Sequence, residues 1–396
     1  MIGIAELRST NKTLAMSLVS LFCLVSETSS AQGLVGSNIR FGAFYESNTF
    51  YSNENKEADF AFAVAPNLVY SKDVGRKYSI HTDSKFSYTK YMSNSNQDFF
   101  DYDIYLKNNF KFSRKFQIYM TPMAKLISEP ALDKTEERLE RQFMGASMGL
   151  IFSRDSRRQY ILDANYLAEA MSQAEYEHLN NSELKARLYY KKYFLPETFV
   201  YMGISGGVRT FPDGKNFVRE KYDSQRIEPG FGLEGRLTRY FKIRSYFGYS
   251  IISYKEDANH SNPVYLLELE EEISPKDFIL MGLENSVEDS YFTNFLVNQK
   301  VYVGYGRFVG DQVLWITKAE YLYKTFSRPQ RRDDQRFIID TRFEYSYSKA
   351  LKFELALSFD TLSSDAVDPD SAPPDPIDPS ASYQNVRVGF FGKYLF

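Results

Sequence analysis

Few residues of this sequence could carry acid–base or nucleophilic chemistry. Three histidines are present, His81, His178 and His260. Ser79 and Asp83 flank His81 at two residues on either side, and these are the residue types that a hydrolase triad combines. Such neighbours on one strand lie roughly 7 Å apart, which is too far for direct hydrogen bonds. His178 and His260 lie in predicted loops, so the pattern indicates no catalytic site.

Metal and phosphate chemistry have no better basis in the sequence. No Cys/His cluster has the spacing of metal ligands, and no glycine-rich loop is followed by the Lys-Ser/Thr pair that binds phosphate. The acidic run Glu270–Glu272 alternates between the two faces of a predicted strand and ends near a turn, which favours a solvated strand end. We therefore expect no enzyme activity, no cofactor and no metal site.

The elements that carry these residues are predicted to be β-strands. Apolar residues alternate with polar ones in Ile39–Glu46, Tyr102–Phe112 and Leu351–Asp360, and period 2 is the strand period. Short breaks alternate with longer polar ones and divide the chain into about 18 strands, with about 16 as the alternative. The longest break, Ser363–Ser382, is rich in proline, which cannot donate to a strand ladder, and in aspartate. A surface loop and an acidic lid both fit this segment.

The N-terminus has the pattern of a secretory signal. Arg8 and Lys12 precede the apolar run Leu14–Val25, and small residues follow up to Ala31. This order is typical of a signal peptide, which we predict over residues 1–31 and expect to be cleaved. The mature chain would then contain no cysteine, so disulfides could not hold it together, whereas a closed hydrogen-bonded barrel could.

Composition limits the class of protein further. The mean hydropathy of -0.42 is low for a helical membrane protein, while Tyr (31) and Phe (33) are abundant. A β-barrel need not be hydrophobic overall, because only every second residue of each strand meets lipid. The net charge of -3 gives no reason to expect nucleic-acid binding.

The polar face of the predicted strands carries charges of both signs. A soluble sandwich would bury the apolar rows, whereas a membrane barrel points them at lipid and its charges at water. Aromatic pairs near strand ends, such as Tyr345 with Tyr347, are typical of interfacial girdles. We therefore predict an all-β fold in which residues 32–396 form a single transmembrane antiparallel up-and-down β-barrel. The residues predicted to line its lumen are Asp83, Lys85, Lys185, Arg187, Arg226, Glu228, Glu234, Arg236, Lys242, Arg244, Glu268, Glu270, Lys318, Glu320, Asp340, Arg342, Glu344 and Arg387.

These lumen charges have two interpretations. Opposed basic and acidic strands would set a transverse field that aligns polar solutes as they pass. Alternatively, the charges pair with one another across neighbouring strands and serve the wall itself. Both interpretations remain open at the level of the sequence.

Both ends of the mature chain resemble known outer-membrane proteins. The segments Phe44–Phe50, Asp59-Phe60 and Val64–Leu68 resemble the start of a family of outer-membrane β-barrel porins, whose members often open with Tyr-x-x-Asn-Ile/Val-Phe; here Thr49 stands where Ile or Val is usual. The last strand, which ends in Tyr394-Leu-Phe396, resembles the assembly signal that the barrel-assembly machinery engages. The resemblance implies a porin role, and for some members a link to exopolysaccharide secretion.

The expected function is that of an aqueous conduit for polar solutes in the bacterial outer membrane, with exopolysaccharide export as the role that the resemblance implies. The alternatives are a general diffusion porin and a structural or adhesive surface barrel with a plugged lumen. The expected partners are outer-membrane lipid and lipopolysaccharide, the barrel-assembly machinery and, by the resemblance, periplasmic polysaccharide-export components. We expect a monomer and no nucleic acid.

Overall fold

The computed structural model describes most of the chain from residue 36 onward. The described residues are 36–51, 56–130, 138–172, 179–211, 215–216, 221–255, 258–288, 294–327, 332–366 and 382–396. The predicted signal peptide, His178 and residues 367–381 of the proline-rich break lie outside the described residues.

Eighteen antiparallel strands form one closed sheet, which confirms the predicted β-barrel. The barrel strands are β1 (Asn38–Glu46), β2 (Asp59–Val74), β3 (Tyr78–Tyr91), β4 (Phe99–Lys111), β5 (Phe116–Pro130), β6 (Arg138–Ser153), β7 (Arg158–Met171), β8 (Asn181–Leu195), β9 (Thr198–Thr210), β12 (Ser224–Arg236), β13 (Phe241–Tyr254), β14 (His260–Ser274), β15 (Asp277–Glu288), β16 (Leu296–Val309), β17 (Val313–Phe326), β18 (Arg332–Ser346), β19 (Leu351–Ala366) and β20 (Tyr383–Leu395). Two features were not predicted: a 3-10 turn at Ser95–Gln97, and a two-residue hairpin of β10 (Lys215–Asn216) with β11 (Lys221–Tyr222) between β9 and β12.

The barrel closes where the last strand meets the first. Strand β20 pairs antiparallel with the whole length of β1, from Asn38 opposite Leu395 to Glu46 opposite Arg387. Every barrel strand then has two hydrogen-bonded neighbours, so no sheet edge is left open. This is the closure that the alternation of the last strand predicts.

Short turns and longer connections alternate along the chain, so they lie at opposite ends of the barrel. We call the end with the short turns the turn end; β1 begins there and β20 ends there. Gly75 and Gly310 lie in two of these turns with φ of +67° and +66°, a backbone conformation in which a side chain would be strained. The opposite rim, the loop end, carries the longer connections. Some strands extend further into the predicted loops, because their backbone hydrogen-bond pairing continues. Arg332 still pairs with Ala366, so Ser363 to Ala366 belong to β19 and not to a loop.

The outer face of the barrel is apolar and exposed. Phe62, Met202, Phe231 and Phe390 are each more than half exposed, at 57%, 60%, 62% and 58%. Large apolar side chains that face outward on many strands would be unstable in water, so this face is suited to the hydrocarbon core of a bilayer. No helix of the described residues is long and apolar enough to cross a membrane.

Candidate functional site

The strand register separates the inner face from the outer one. Directly paired residues share a face, so the exposed Phe390 and its partner Ala43 lie outside, while Arg387 and Glu46 lie inside. The same rule, followed around all strands, puts every predicted lumen residue on the inner face. These residues are Asp83, Lys85, Lys185, Arg187, Arg226, Glu228, Glu234, Arg236, Lys242, Arg244, Glu268, Glu270, Lys318, Glu320, Asp340, Arg342, Glu344 and Arg387.

One part of the inner wall, from β7 to β14, holds ion pairs that remain accessible to water. Lys242 Nζ lies 3.1 Å from Glu270 Oε2, and Arg244 Nη1 lies 3.1 Å from Glu268 Oε2. The Lys242 and Arg244 side chains are 54% and 57% exposed. Arg187, 47% exposed, lies 2.7 Å from the well-buried Asp163. We call these six residues, Asp163, Arg187, Lys242, Arg244, Glu268 and Glu270, the charge ladder.

Local pairing is the dominant arrangement among the predicted lumen charges. The salt bridges that join them to each other or to nearby side chains are Asp83–Lys85, Lys185–Glu183, Arg187–Asp163, Lys242–Glu270, Arg244–Glu268, Lys318–Glu320, Lys352–Glu344 and Arg387–Glu46. Of the two interpretations of these charges, the described residues therefore favour mutual pairing. A wall of paired charges presents both signs at short range and only a weak net field across the bore.

A second polar assembly lies at the loop end, across the seam between β20 and β1. Glu46 is 0% exposed, and its carboxylate accepts four hydrogen bonds. Arg387 Nη2 donates at 2.6 Å, Tyr91 Oη at 2.7 Å, Tyr51 Oη at 2.8 Å and Asn385 Nδ2 at 2.8 Å. We call Glu46, Tyr51, Tyr91, Asn385 and Arg387 the seam cluster. Its donors replace the water that the buried carboxylate has lost.

Tyr51 joins the seam cluster from the connection that follows β1. Its φ of +52° lies in the left-handed region, which is uncommon for a residue other than glycine. The ring packs edge-on against Tyr383 with centroids 5.1 Å apart. Burial raises the pKa of Tyr51 to about 12, so the phenol stays protonated and donates to Glu46.

Further ion pairs extend the buried region onto β18 and β19. Arg336 donates twice to Asp360, at 2.9 and 2.6 Å, and Tyr383 Oη donates to the same carboxylate at 3.1 Å. Arg332 and Asp334 lie 2.9 Å apart with both side chains only 6% exposed. The loop end near the seam is therefore a cross-linked polar wall, unlike the accessible ladder.

Comparison with solved structures finds the same architecture in porins. No family model and no curated protein matches the sequence. OpdK of Pseudomonas aeruginosa, solved with vanillate, matches with a TM-score of 0.53 and 10% identity, over 91% of this chain and 98% of that chain. OccAB3 of Acinetobacter baumannii matches with 0.51 and 11%, over 92% and 100%, and a BenF-like porin from Pseudomonas fluorescens Pf-5 with 0.51 and 9%, over 92% and 99%.

This chain has the fold of these porins. At such low identity the likeness concerns the fold alone, and at that level it confirms the resemblance seen in the sequence. The outer face supplies the apolar surface of the porin fold and the inner face supplies its polar wall.

One histidine of this porin fold is not placed as the sequence suggests. His260 was predicted in a loop, but it is the first residue of β14 and stacks on Phe295 with centroids 3.9 Å apart. His81 Nδ1 is hydrogen-bonded to Ser71 Oγ at 2.5 Å, on the neighbouring strand β2. Ser71 lies ten residues away, and only the β2–β3 register brings it opposite His81.

The flanking residues of His81 form no triad with it. Ser79 Oγ accepts a hydrogen bond from Asn109 at 3.4 Å, and Asp83 Oδ2 lies 3.6 Å from Lys85. In the described part of the chain, no His, Cys, Asp and Glu side chains cluster as a metal ion would require.

Sequence reasoning missed most of the seam cluster. Of its five members only Arg387 was predicted as a lumen residue. Glu46 could have been found, because a strand that closes the barrel by pairing with Ile39–Glu46 brings Arg387 opposite Glu46. Tyr51 follows the predicted strand and lies in a break of the pattern, so no periodicity marks its direction.

Proposed function

We propose that the chain forms an aqueous channel through the bacterial outer membrane, by which polar solutes diffuse. The observation that carries the proposal is that one closed sheet has two different faces. Its outer face is apolar and exposed, and its inner face is charged and carries half-exposed arginine and lysine side chains. A barrel of about 16 to 18 strands is wide enough to hold water.

Passage would require no covalent chemistry. A solute that leaves bulk water loses part of its hydration, and the charge ladder offers donors and acceptors that replace it. Exposed ion pairs contribute only about 0–1 kcal/mol each, so a passing solute can exchange with them at little cost. OpdK, solved with vanillate, supports a small organic solute as the cargo.

Polysaccharide export is not part of this proposal. The sequence resemblance implies it for some porins, but the compared structures that match this fold lend it no support. A surface barrel with a plugged lumen is disfavoured by the exposed ladder side chains. General diffusion and solute-selective passage remain two forms of the same conduit.

Export and assembly belong to the same proposal. A cleaved signal peptide at residues 1–31 would take the chain across the inner membrane, and the barrel-assembly machinery would engage the strand that ends in Tyr394 and Phe396. We propose that the barrel works as a monomer in contact with lipid and lipopolysaccharide.

The channel is tested by reconstituting the purified protein in planar lipid bilayers. Stepwise insertion of equal ion-conducting units is the expected result. Folded protein that inserts but conducts no ions would contradict the proposal, and folding is checked independently by the resistance of the barrel to unfolding in detergent without heating.

A further inference from the structure

Three tyrosines form a continuous strip on the inner wall between β8 and β13. The ring centroids of Tyr189 and Tyr201 lie 6.1 Å apart, and those of Tyr201 and Tyr246 lie 6.4 Å apart with planes only 5° from parallel. All three residues are half-buried. We call Tyr189, Tyr201 and Tyr246 the tyrosine strip.

Glycines on the neighbouring strands let these rings lie along the wall. Gly203 is directly opposite Tyr189, and Gly232 is opposite both Tyr201 and Tyr246. A Cβ at either glycine would overlap the ring beside it. The rings therefore occupy space next to the backbone, and each of the three residues stays partly exposed.

Hydrogen bonds to the wall fix two of the three hydroxyls of the strip. Tyr246 Oη donates to Glu228 at 2.8 Å, and Tyr201 Oη donates to the backbone oxygen of Ser245 at 3.3 Å. Their hydroxyls are thus already engaged, and what these residues offer a solute is the ring itself. A fixed ring loses little conformational entropy when a solute packs on it.

Charges of both signs lie around the strip: two arginines are in ion pairs, and the carboxylate of Glu228 accepts from Tyr246. Arg187, two residues from Tyr189, pairs with Asp163 at 2.7 Å, and Arg244, two residues from Tyr246, pairs with Glu268 at 3.1 Å. Such surroundings favour neither a net anion nor a net cation. They do offer donors and acceptors to a solute that carries many hydroxyl groups.

We propose that the tyrosine strip is a stacking platform for the pyranose rings of a neutral oligosaccharide. The C–H face of a pyranose is apolar and would pack on the tyrosine rings, while its hydroxyl edge would bond to the charge ladder. The inference deepens the proposed channel function and rests on it for its biological role, but binding itself can be measured without conduction.

The same wall provides a matched control. Tyr302 also lies against a glycine, Gly282, and donates to Glu268, but it is only 6% exposed, and Lys318 Nζ lies 4.5 Å from the centre of its ring. Tyr302 thus packs against a glycine as the strip tyrosines do, but its ring is too deeply buried to contact a solute. Tyr302→Leu removes the hydrogen bond to Glu268 but no exposed ring, so it should weaken sugar binding far less than Tyr189→Leu/Tyr201→Leu.

The experiment measures the binding of maltohexaose in two ways: by interruption of the ion current in planar bilayers, and by calorimetry on the detergent-solubilised barrel. We expect concentration-dependent interruptions, and a dissociation constant raised about tenfold in Tyr189→Leu/Tyr201→Leu, since two stacking rings are lost. Tyr189→Phe/Tyr201→Phe should retain binding, because the ring faces are kept.

The outcomes separate the two proposals. Maltohexaose bound in calorimetry by a barrel that conducts no ions would contradict the channel and support the platform. A conducting barrel that ignores maltohexaose, or that is blocked equally in the leucine variant, would overturn the platform and leave the channel standing. Block by benzoate but not by maltohexaose would also overturn it, in favour of an aromatic anion.

Discussion

The seam cluster and the charge ladder contain ion pairs of similar length in very different surroundings. Arg387 and Glu46 lie 2.6 Å apart and Arg244 and Glu268 lie 3.1 Å apart. Arg387 is 43% exposed, but the carboxylate of Glu46 is completely buried, whereas both side chains of the Arg244–Glu268 pair reach water. Breaking a buried pair costs about 3–5 kcal/mol, and breaking an exposed one costs about 0–1 kcal/mol. Burial therefore assigns the cluster to holding the barrel closed and leaves the ladder available to solutes.

The position of the cluster fits that assignment. The β20–β1 contact joins the two ends of the sheet, and its partners are separated by nearly the whole sequence, so its closure costs more chain entropy than that of a local hairpin. Phe44, Ala61, Tyr91 and Phe391 form a small buried apolar cluster beside it on the inner side. Polar cross-links and apolar packing thus coincide at the place where the barrel closes.

The largest effect is expected from Glu46→Ala. Removing the carboxylate leaves Arg387, Tyr91 and Asn385 without the acceptor they share, so the free energy of unfolding should fall by about 3–5 kcal/mol. Urea unfolding of the folded barrel in detergent measures it. Glu268→Gln in the charge ladder is the matched control and should cost about 1 kcal/mol or less. Equal losses in both variants would remove the distinction between the two regions.

Deleting Phe396 should weaken the seam from the other end. Its backbone N–H donates to Ser37 at 3.0 Å, and its ring packs edge-on against Tyr394 with centroids 5.0 Å apart on the outer face. We expect several-fold less assembled barrel in the outer membrane, while molecules that do assemble keep the conductance of the intact protein, since no lumen residue is touched. Unchanged assembly would show that the terminal aromatic is not needed.

The two regions also differ in how much of each could be predicted from the sequence. Strict alternation in segments such as Leu351–Asp360 sufficed for the strands, the two faces and the closure, because a one-residue slip would turn every apolar side chain inward. Five of the six residues of the charge ladder followed from the same alternation, whereas Asp163 was not among the predicted lumen residues. The seam cluster did not follow, because Tyr51 enters it from an irregular segment and Tyr91 becomes its neighbour only through the β1–β2–β3 register.

The tyrosine strip was hidden for a related reason. Tyr189, Tyr201 and Tyr246 are three of 31 tyrosines, and nothing local distinguishes them from those of the outer girdles. The distinguishing signal is the glycine across the strand, which requires the register.

Tyr51→Phe should have a smaller effect and one that depends on pH. The variant loses a single hydrogen bond to Glu46, worth about 1 kcal/mol near neutral pH. Because burial raises the pKa of Tyr51 to about 12, its contribution is present below about pH 10, the pKa of an unfolded tyrosine, and is lost as the pH rises towards 12. The unfolding free energies of the two proteins, compared between pH 8 and 11, should therefore converge. A constant difference would show that Tyr51 is not buried as a donor.

The smallest change in stability, but a clear change in function, is expected from Arg244→Glu. The new carboxylate faces Glu268 in place of a guanidinium, and its strand partner on the other side is Glu234, so the ladder becomes locally acidic. Because the side chain is exposed, the unfolding free energy should change by about 1 kcal/mol or less. The reversal potential in a KCl gradient should shift towards cation selectivity, and Arg244→Gln should give about half the shift. An unchanged reversal potential would mean that ions do not pass the charge ladder. The proposed difference in role between the seam cluster and the charge ladder would then be wrong for the ladder.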